Sequence, residues 1–257
     1  MNWVNSLLGS NIGRKLVMAL TGLFLISFLF VHLSGNFLLL SNDAGAKFNA
    51  YSRFMSTAGI IRVLEIVLVA GFLIHIYTAV VLTRKNASRR PGGYAAGNKT
   101  PGVSWFSKNM GLTGSLILVF LILHLRTFYF EYHYGTIRQV YYQEQSQGEM
   151  ATKVKLTVLE EGQIPPSGVD VYKDMAYIAH EAFQSPLYII AYTIAFILLG
   201  AHLIHGFQSA FQTLGFEHKK YSPLISALSW IIGVGVPLGF TIIPVLMKLL
   251  NPLYANQ

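Results

Sequence analysis

The chain of 257 residues contains no cysteine and few charged residues. The lack of cysteine excludes disulfide bonds, iron–sulfur ligation and thiolate chemistry on this chain. Charged residues make up 12% of the sequence, about half the fraction usual in a soluble domain, while 53% of the residues are hydrophobic. The net charge of +8 does not indicate nucleic-acid binding, because Lys and Arg cluster beside apolar stretches. We therefore expect most of the chain to lie in lipid.

Five apolar stretches are long enough to cross the hydrocarbon core, which takes about 20 helical residues. They predict an all-α membrane protein in which five transmembrane helices form one domain over residues 1–257. The first stretch is too long for the core of a signal peptide and no small-residue cleavage site follows it, so we expect it to be retained. The predicted spans are residues 16–40, 60–82, 110–130, 187–211 and 224–250.

Basic residues concentrate on one set of connecting segments. The N-terminus, residues 83–109 and residues 212–223 hold ten Lys and Arg residues against one acid, Glu217. The positive-inside rule therefore predicts a cytoplasmic N-terminus and an outer C-terminus, and we expect a multi-pass protein of a bacterial cytoplasmic membrane. A turn is expected at residues 90–93 (RPGG), beside a basic surface that could meet lipid headgroups or dock a soluble partner.

The longest segment between the predicted spans, residues 131–186, holds most of the remaining acids. Its composition predicts a small cap or irregular loop on the outer face. Within it, residues 153–159 favour a strand and residues around 174–183 favour a helix.

Five of the eight histidines lie inside predicted spans: His32, His75, His124, His202 and His205. An ionisable residue in a span is costly and indicates function, although a single histidine is often a neutral imidazole bonded to a carbonyl. At about 1.5 Å per residue from each midpoint, His32 and His124 lie roughly 6 Å toward the outer face. His75 and His202 lie roughly 5 Å toward the cytoplasm by the same count. Four helices thus carry two level pairs.

Two imidazoles at one depth in a helical bundle match the axial ligands of a b-type haem. The pairs predict two haems, an outer one on His32 and His124 and an inner one on His75 and His202. His205, three residues after His202, could instead share a zinc ion with it. No cysteine or carboxylate joins them, so we place His205 beside the inner haem or a quinone and leave an exchange of roles with His202 open. Small residues near the ligands would admit a flat macrocycle: Gly35, Asn36, Gly71, Gly200 and Gly206.

Each of the four paired histidines lies in a short sequence motif. The motifs are His32-Leu33-Ser34-Gly35-Asn36, Glu65 with His75, Leu123-His124, and residues 202–215 (HLIHGFQSAFQTLG). On these stretches nearly the whole chain resembles the five-helix, dihaem cytochrome b membrane subunit of succinate:quinone oxidoreductases, the succinate dehydrogenases and fumarate reductases. In that family the first and third helices hold the outer haem, and the second and fourth hold the inner one. The family pairing agrees with the pairing by depth.

The resemblance implies an anchor for a flavoprotein and an iron–sulfur subunit on the cytoplasmic face. Such a subunit passes electrons between their clusters, the two haems and a quinone, in the respiratory chain and the tricarboxylic acid cycle. The resemblance also implies that no succinate chemistry occurs on this chain. We expect menaquinone as the quinone and a homodimer of heterotrimers as the assembly. Arg14, Lys15 and the basic segment 84–108 then become a docking surface, and some of these cations would pair with haem propionates.

A quinone site near the outer haem is also implied, and it needs an acid to handle protons. Glu65 is the candidate, with Arg62 three residues before it, and the alternative is an ion pair between the two at headgroup level. Some fumarate-reducing members carry an acid two residues before the fourth ligand. That position here is Gly200, which favours succinate oxidation.

Two other functions remain open. A dihaem cytochrome b of a hydrogenase or formate dehydrogenase would share the haems but dock other partners. A small transporter or channel would use the histidines to relay protons or bind a cation. The sequence has no internal repeat and no pair of helices broken at corresponding positions, which counts against the transporter.

Overall fold

The structure, a computed structural model, describes residues 9–88, 105–146 and 152–250. The turn predicted at residues 90–93 lies outside these ranges, as do Arg89, Arg90 and Lys99 of the basic surface. Five helices of the described ranges are long and apolar enough to cross a membrane, which makes the chain a multi-pass membrane protein. These spans are Asn11–Leu40, Gly59–Ser88, Met110–Tyr134, Pro186–Thr213 and Ser222–Leu249. The five predicted spans are confirmed. The first begins five residues earlier than predicted, and the second and third end six and four residues later.

Helices account for most of the described residues. The last long helix, Ser222–Leu250, contains Pro237 and Pro244 without ending there, as is common where neighbouring groups satisfy the freed carbonyls. The third span passes through a π-helical stretch, Leu125–Phe130, before its last turn, Glu131–Tyr134. The helices are α1 Asn11–Asn36, which continues as the 3₁₀ turn Phe37–Leu40, α2 Ala46–Thr57, α3 Gly59–Ser88, α4 Trp105–Lys108, α5 Met110–His124, α6 Glu131–Tyr134, α7 Met175–Ala182, α8 Pro186–Thr213 and α9 Ser222–Leu250.

The segment between α6 and α8 is a folded cap with a small sheet. Its strands are β1 Gln139–Ser146, β2 Thr152–Leu159 and β3 Val171–Lys173, in the order β2-β1-β3. Both pairings are antiparallel, with Gln139 opposite Leu159 on one side and Lys173 on the other. The predicted strand and helix correspond to β2 and α7, whereas β1, β3 and α2 were not predicted. An all-α description therefore holds for the spans and not for the cap.

The chain forms two compact units. The first comprises the described residues of 1–30, 63–118 and 195–237, and the second those of 31–62, 119–194 and 238–257. In the first unit α8 and α9 approach closely, because the carbonyl of Gly233 occupies the space that a Cβ on Gly200 would need. The second unit has an apolar core in which cap residues pack with the ends of α1 and α9: Leu39, Phe48, Ile137, Met175, Ala176, Ala179, Ile243 and Met247.

A buried polar network joins α2 to the cap within the second unit. The Asn49 amide donates to Asp174 Oδ1 at 2.8 Å and to the Tyr142 hydroxyl at 2.7 Å, and its oxygen accepts from the Ala176 amide at 2.9 Å. Arg138 forms an ion pair with Asp174 at 2.7 Å. Asp174 is 0% exposed and Asn49 is 1% exposed, so each polar group depends on these partners.

Candidate functional site

His75 on α3 and His202 on α8 lie together in the first unit. Their ring centroids are 6.4 Å apart. If each imidazole nitrogen lay about 2 Å from a shared metal ion, the two centroids would be about 6 Å apart. The spacing of this pair therefore suits one metal ion held between two imidazoles.

The Thr21 hydroxyl of α1 orients His75. Its Oγ1 lies 2.7 Å from the carbonyl of Val17, one turn earlier on its own helix, and 3.1 Å from His75 Nδ1. Because the hydroxyl donates its proton to the carbonyl, its lone pair is left to accept a hydrogen bond from Nδ1–H. This assigns the proton of His75 to Nδ1, and the Nε2 lone pair is then available to a metal ion.

His202 has the same surroundings on another helix. The Thr113 hydroxyl of α5 lies 3.1 Å from the carbonyl of Asn109 and 3.4 Å from His202 Nδ1. The residue after each threonine is a glycine that gives the imidazole room. A Cβ on Gly114 would lie 3.4 Å from Cε1 of His202. A Cβ on Gly22 would lie 3.5 Å from Cε1 of His75. The sequence did not predict this feature, although the dipeptide Thr-Gly occurs in both helices.

His32 on α1 and His124 on α5 form the second pair, in the second unit. Their ring centroids are 5.7 Å apart and the rings are perpendicular. The Tyr192 hydroxyl of α8 lies 3.4 Å from His124 Nδ1, and the Phe240 ring of α9 lies 5.6 Å from the ring of His32. His124 is the last residue before the π-helical stretch, a feature that is frequent at functional sites. Aromatic side chains thus surround this pair.

The glycines expected to admit a macrocycle have other neighbours in the structure. A Cβ on Gly35 would collide with the ring of Tyr51, and one on Gly71 would lie 3.2 Å from the ring of Phe24. These two glycines make room for protein side chains. Gly206 has no such neighbour within 4 Å.

Gly200 has a packing role. A Cβ there would collide with the Gly233 carbonyl oxygen of α9. An acid, or any other side chain, at this position would therefore disturb the close approach of the two helices.

The remaining predicted site residues lie on the same helices. His205 is half-buried on α8, one turn after His202, while Glu65 is half-buried and Arg62 is exposed near the start of α3. Arg14 on α1 has a buried Nη1 without a hydrogen-bond partner among the described residues. A buried guanidinium nitrogen of this kind is suited to an acidic ligand, whose oxygen would accept its hydrogen bond.

The donor set fits two haems of the b type. Each unit contains one histidine pair, and the threonine contacts leave Nε2 of the inner pair available for iron. No group of three or more His, Asp or Glu residues within residues 9–88, 105–146 and 152–250 is arranged to hold a metal ion. A zinc site around His202 and His205 therefore has no third ligand of these types in the described part of the chain.

Comparison with protein-family models, with curated protein sequences and with solved structures finds no match for this chain. The functional assignment depends on the histidine pairs and on the residues that orient them.

Proposed function

We propose that this chain is the membrane-anchor cytochrome b subunit of a succinate:quinone oxidoreductase. In this role it carries electrons between flavoprotein and iron–sulfur subunits on the cytoplasmic face and a membrane quinone, menaquinone being the expected one. The observation that carries the proposal is the meeting of His75 with His202 and of His32 with His124, on four helices suited to span a membrane. The motifs around these histidines support the choice of family.

The inner pair would hold its haem through Nε2 of His75 and His202. Bound haem supplies one-electron chemistry that the protein side chains lack. Thr21 and Thr113 would accept hydrogen bonds from Nδ1 and thereby hold each neutral ring in the tautomer whose Nε2 is available. A neutral imidazole also avoids the free energy needed to bury a charge.

The outer pair would hold the second haem between His32 and His124. The Tyr192 hydroxyl lies 3.4 Å from His124 Nδ1 and would accept a hydrogen bond from it, as the threonines would at the inner pair. The aromatic rings around the pair exclude water, which strengthens the interaction of the ligands with a bound cation.

Charged residues complete the proposed sites. The buried Nη1 of Arg14 supports a role in pairing with a haem propionate, since a carboxylate would satisfy it. His205 lies one turn from His202 and would act beside the inner haem. Glu65, half-buried near the start of α3, would pass protons to and from the quinone, with Arg62 one turn before it.

Purification of the tagged chain from its native membranes tests the proposal. We expect a red complex that contains a flavoprotein and an iron–sulfur subunit and reduces quinone with electrons from succinate. A red preparation with hydrogenase or formate dehydrogenase partners would reassign the chain to another respiratory complex. A colourless preparation would contradict the cytochrome assignment and favour the transporter.

A further inference from the structure

A cationic pocket lies in the second unit where the ends of two spans meet the cap. It has a volume of about 310 Å³. Its lining includes Arg53 of α2, Arg62 of α3, Lys173 of β3, the Ser56 hydroxyl, and Tyr132 and His133 of α6. The cavity is larger than one water or ion needs.

Three of the lining residues are cations and no lining residue is an acid. Asp170, just outside, bonds Arg53 Nη1 at 2.8 Å, and this hydrogen bond is the main reason that the pKa of Arg53 is raised. Lys173 donates to the Tyr132 carbonyl at 2.5 Å, which leaves further N–H donors on its ammonium group. Glu65, one turn after Arg62 on α3, also lies outside the lining. Because the lining itself holds three cations and no acid, the pocket favours an anion, and a neutral ligand would gain little from it.

The pocket lies at the depth of lipid headgroups. The second span has 30 residues and is thus about 45 Å long at about 1.5 Å per residue, whereas the hydrocarbon core is about 30 Å thick. Arg62 is the fourth residue of that span, and His133 is next to the last residue of the third. Apolar side chains on the same helix ends face outward, with Ile60 66% exposed and Phe130 50% exposed.

We propose that this pocket binds the phosphate group of an anionic phospholipid. Arg53, Arg62 and Lys173 contact the phosphate oxygens, the Ser56 hydroxyl lies beside them, and the acyl chains lie along Ile60 and Phe130. Guanidinium and ammonium groups are the usual partners of phosphate in proteins. A free phosphate ion shares the headgroup's charge and oxygen donors but would have no use for the exposed apolar surface. The proposal does not depend on haem binding.

The test measures lipid retention by the intact protein. Protein is reconstituted in vesicles of equal parts phosphatidylglycerol and phosphatidylcholine, extracted with mild detergent, and its bound lipid is counted by mass spectrometry. We expect phosphatidylglycerol to be enriched in the wild type. The variants R62Q and K173Q should each lower the enrichment about fivefold, the effect of one cation near a lipid surface. R126Q, which removes an exposed cation of the third span outside the pocket, is the matched control and should retain the wild-type value.

The other outcomes overturn the proposal. Equal retention of the two lipids by the wild type would show that the protein has no preference for phosphatidylglycerol. An equal loss of enrichment in R62Q and R126Q would show that the enrichment is a general charge effect. A second arm titrates inorganic phosphate alone into lipid-depleted protein. Saturable phosphate binding that R62Q abolishes, without any preference for phosphatidylglycerol, would assign the pocket to the free ion. The R62K variant retains the charge and should keep the enrichment, which separates loss of the site from misfolding.

Discussion

The hydroxyl groups of Thr21 and Thr113 decide which nitrogen of each inner histidine is available. Each hydroxyl lies within bonding distance of a carbonyl on its own helix and of Nδ1 on a neighbouring helix. Such an acceptor raises the basicity of an imidazole and, with a haem bound, would stabilise oxidised iron more than reduced iron. At the residue scale, these contacts would tune a haem held by His75 and His202 without touching it.

Replacing Thr21 or Thr113 by Val removes the acceptor and preserves the size of the side chain. We expect each variant to raise the reduction potential of one haem, the same one in both cases. One hydrogen bond is worth about 1 kcal/mol, so the shift is on the order of 40 mV for a one-electron couple. A redox titration followed by visible absorption measures it.

The control is T193V, since the Thr193 hydroxyl bonds the Ile189 carbonyl of its own helix at 2.8 Å. Both potentials should stay at their wild-type values in that variant. Unchanged potentials in T21V and T113V would show that the threonines do not act on bound ligands.

The histidines could be found in the sequence, whereas the threonines could not. An ionisable residue inside an apolar span is conspicuous because burying it is costly. A threonine in a membrane helix commonly bonds its own backbone, as Thr78 does with the Ile74 carbonyl, so its type carries no signal. Only the packing of neighbouring helices shows which hydroxyl reaches a histidine.

The buried Asn49 side chain of α2 makes three hydrogen bonds to the cap. The N49A variant would leave the Ala176 amide without its acceptor and remove a donor from Asp174, at an expected loss of about 2 to 4 kcal/mol. Burial raises the pKa of Tyr142, so its hydroxyl stays protonated in N49A and loses only the hydrogen bond that the Asn49 amide donates. At the element scale, we therefore expect the cap to open more often.

Limited proteolysis of the cap in detergent measures this opening, with faster cleavage expected in N49A. The control K47A lies two residues away, where the exposed lysine is 4.0 Å from Asp43 and its loss should change little. Equal cleavage rates in N49A and the wild type would contradict the anchoring role of Asn49.

The spans could be predicted from apolar length alone, but α2 and β1 could not. The sequence of α2 (AKFNAYSRFMST) mixes polar and apolar residues, and its N-cap is Gly45 at a φ of 83°, without a capping side chain. The strand β1 (QVYYQEQS) is largely polar and depends on its pairing with β2 and β3. Such elements form through contacts distant in sequence, which local patterns do not reveal.

At the scale of the whole molecule, each of the two compact units contains one histidine pair. The pairs that lie together are His32 with His124 and His75 with His202, as expected from the sequence. Their role as haem ligands stays a prediction. The central claim is therefore that one chain binds two haems, each between two named histidines.

A pyridine haemochrome count combined with a reduced-minus-oxidised spectrum tests this claim most directly. We predict two haems b per wild-type chain, and one remaining haem with the same spectrum in H75A and H202A. H32A and H124A should retain the other haem, and H205A should retain both. One haem or none in the wild type, or the same haem missing from H75A and H124A, would contradict the account.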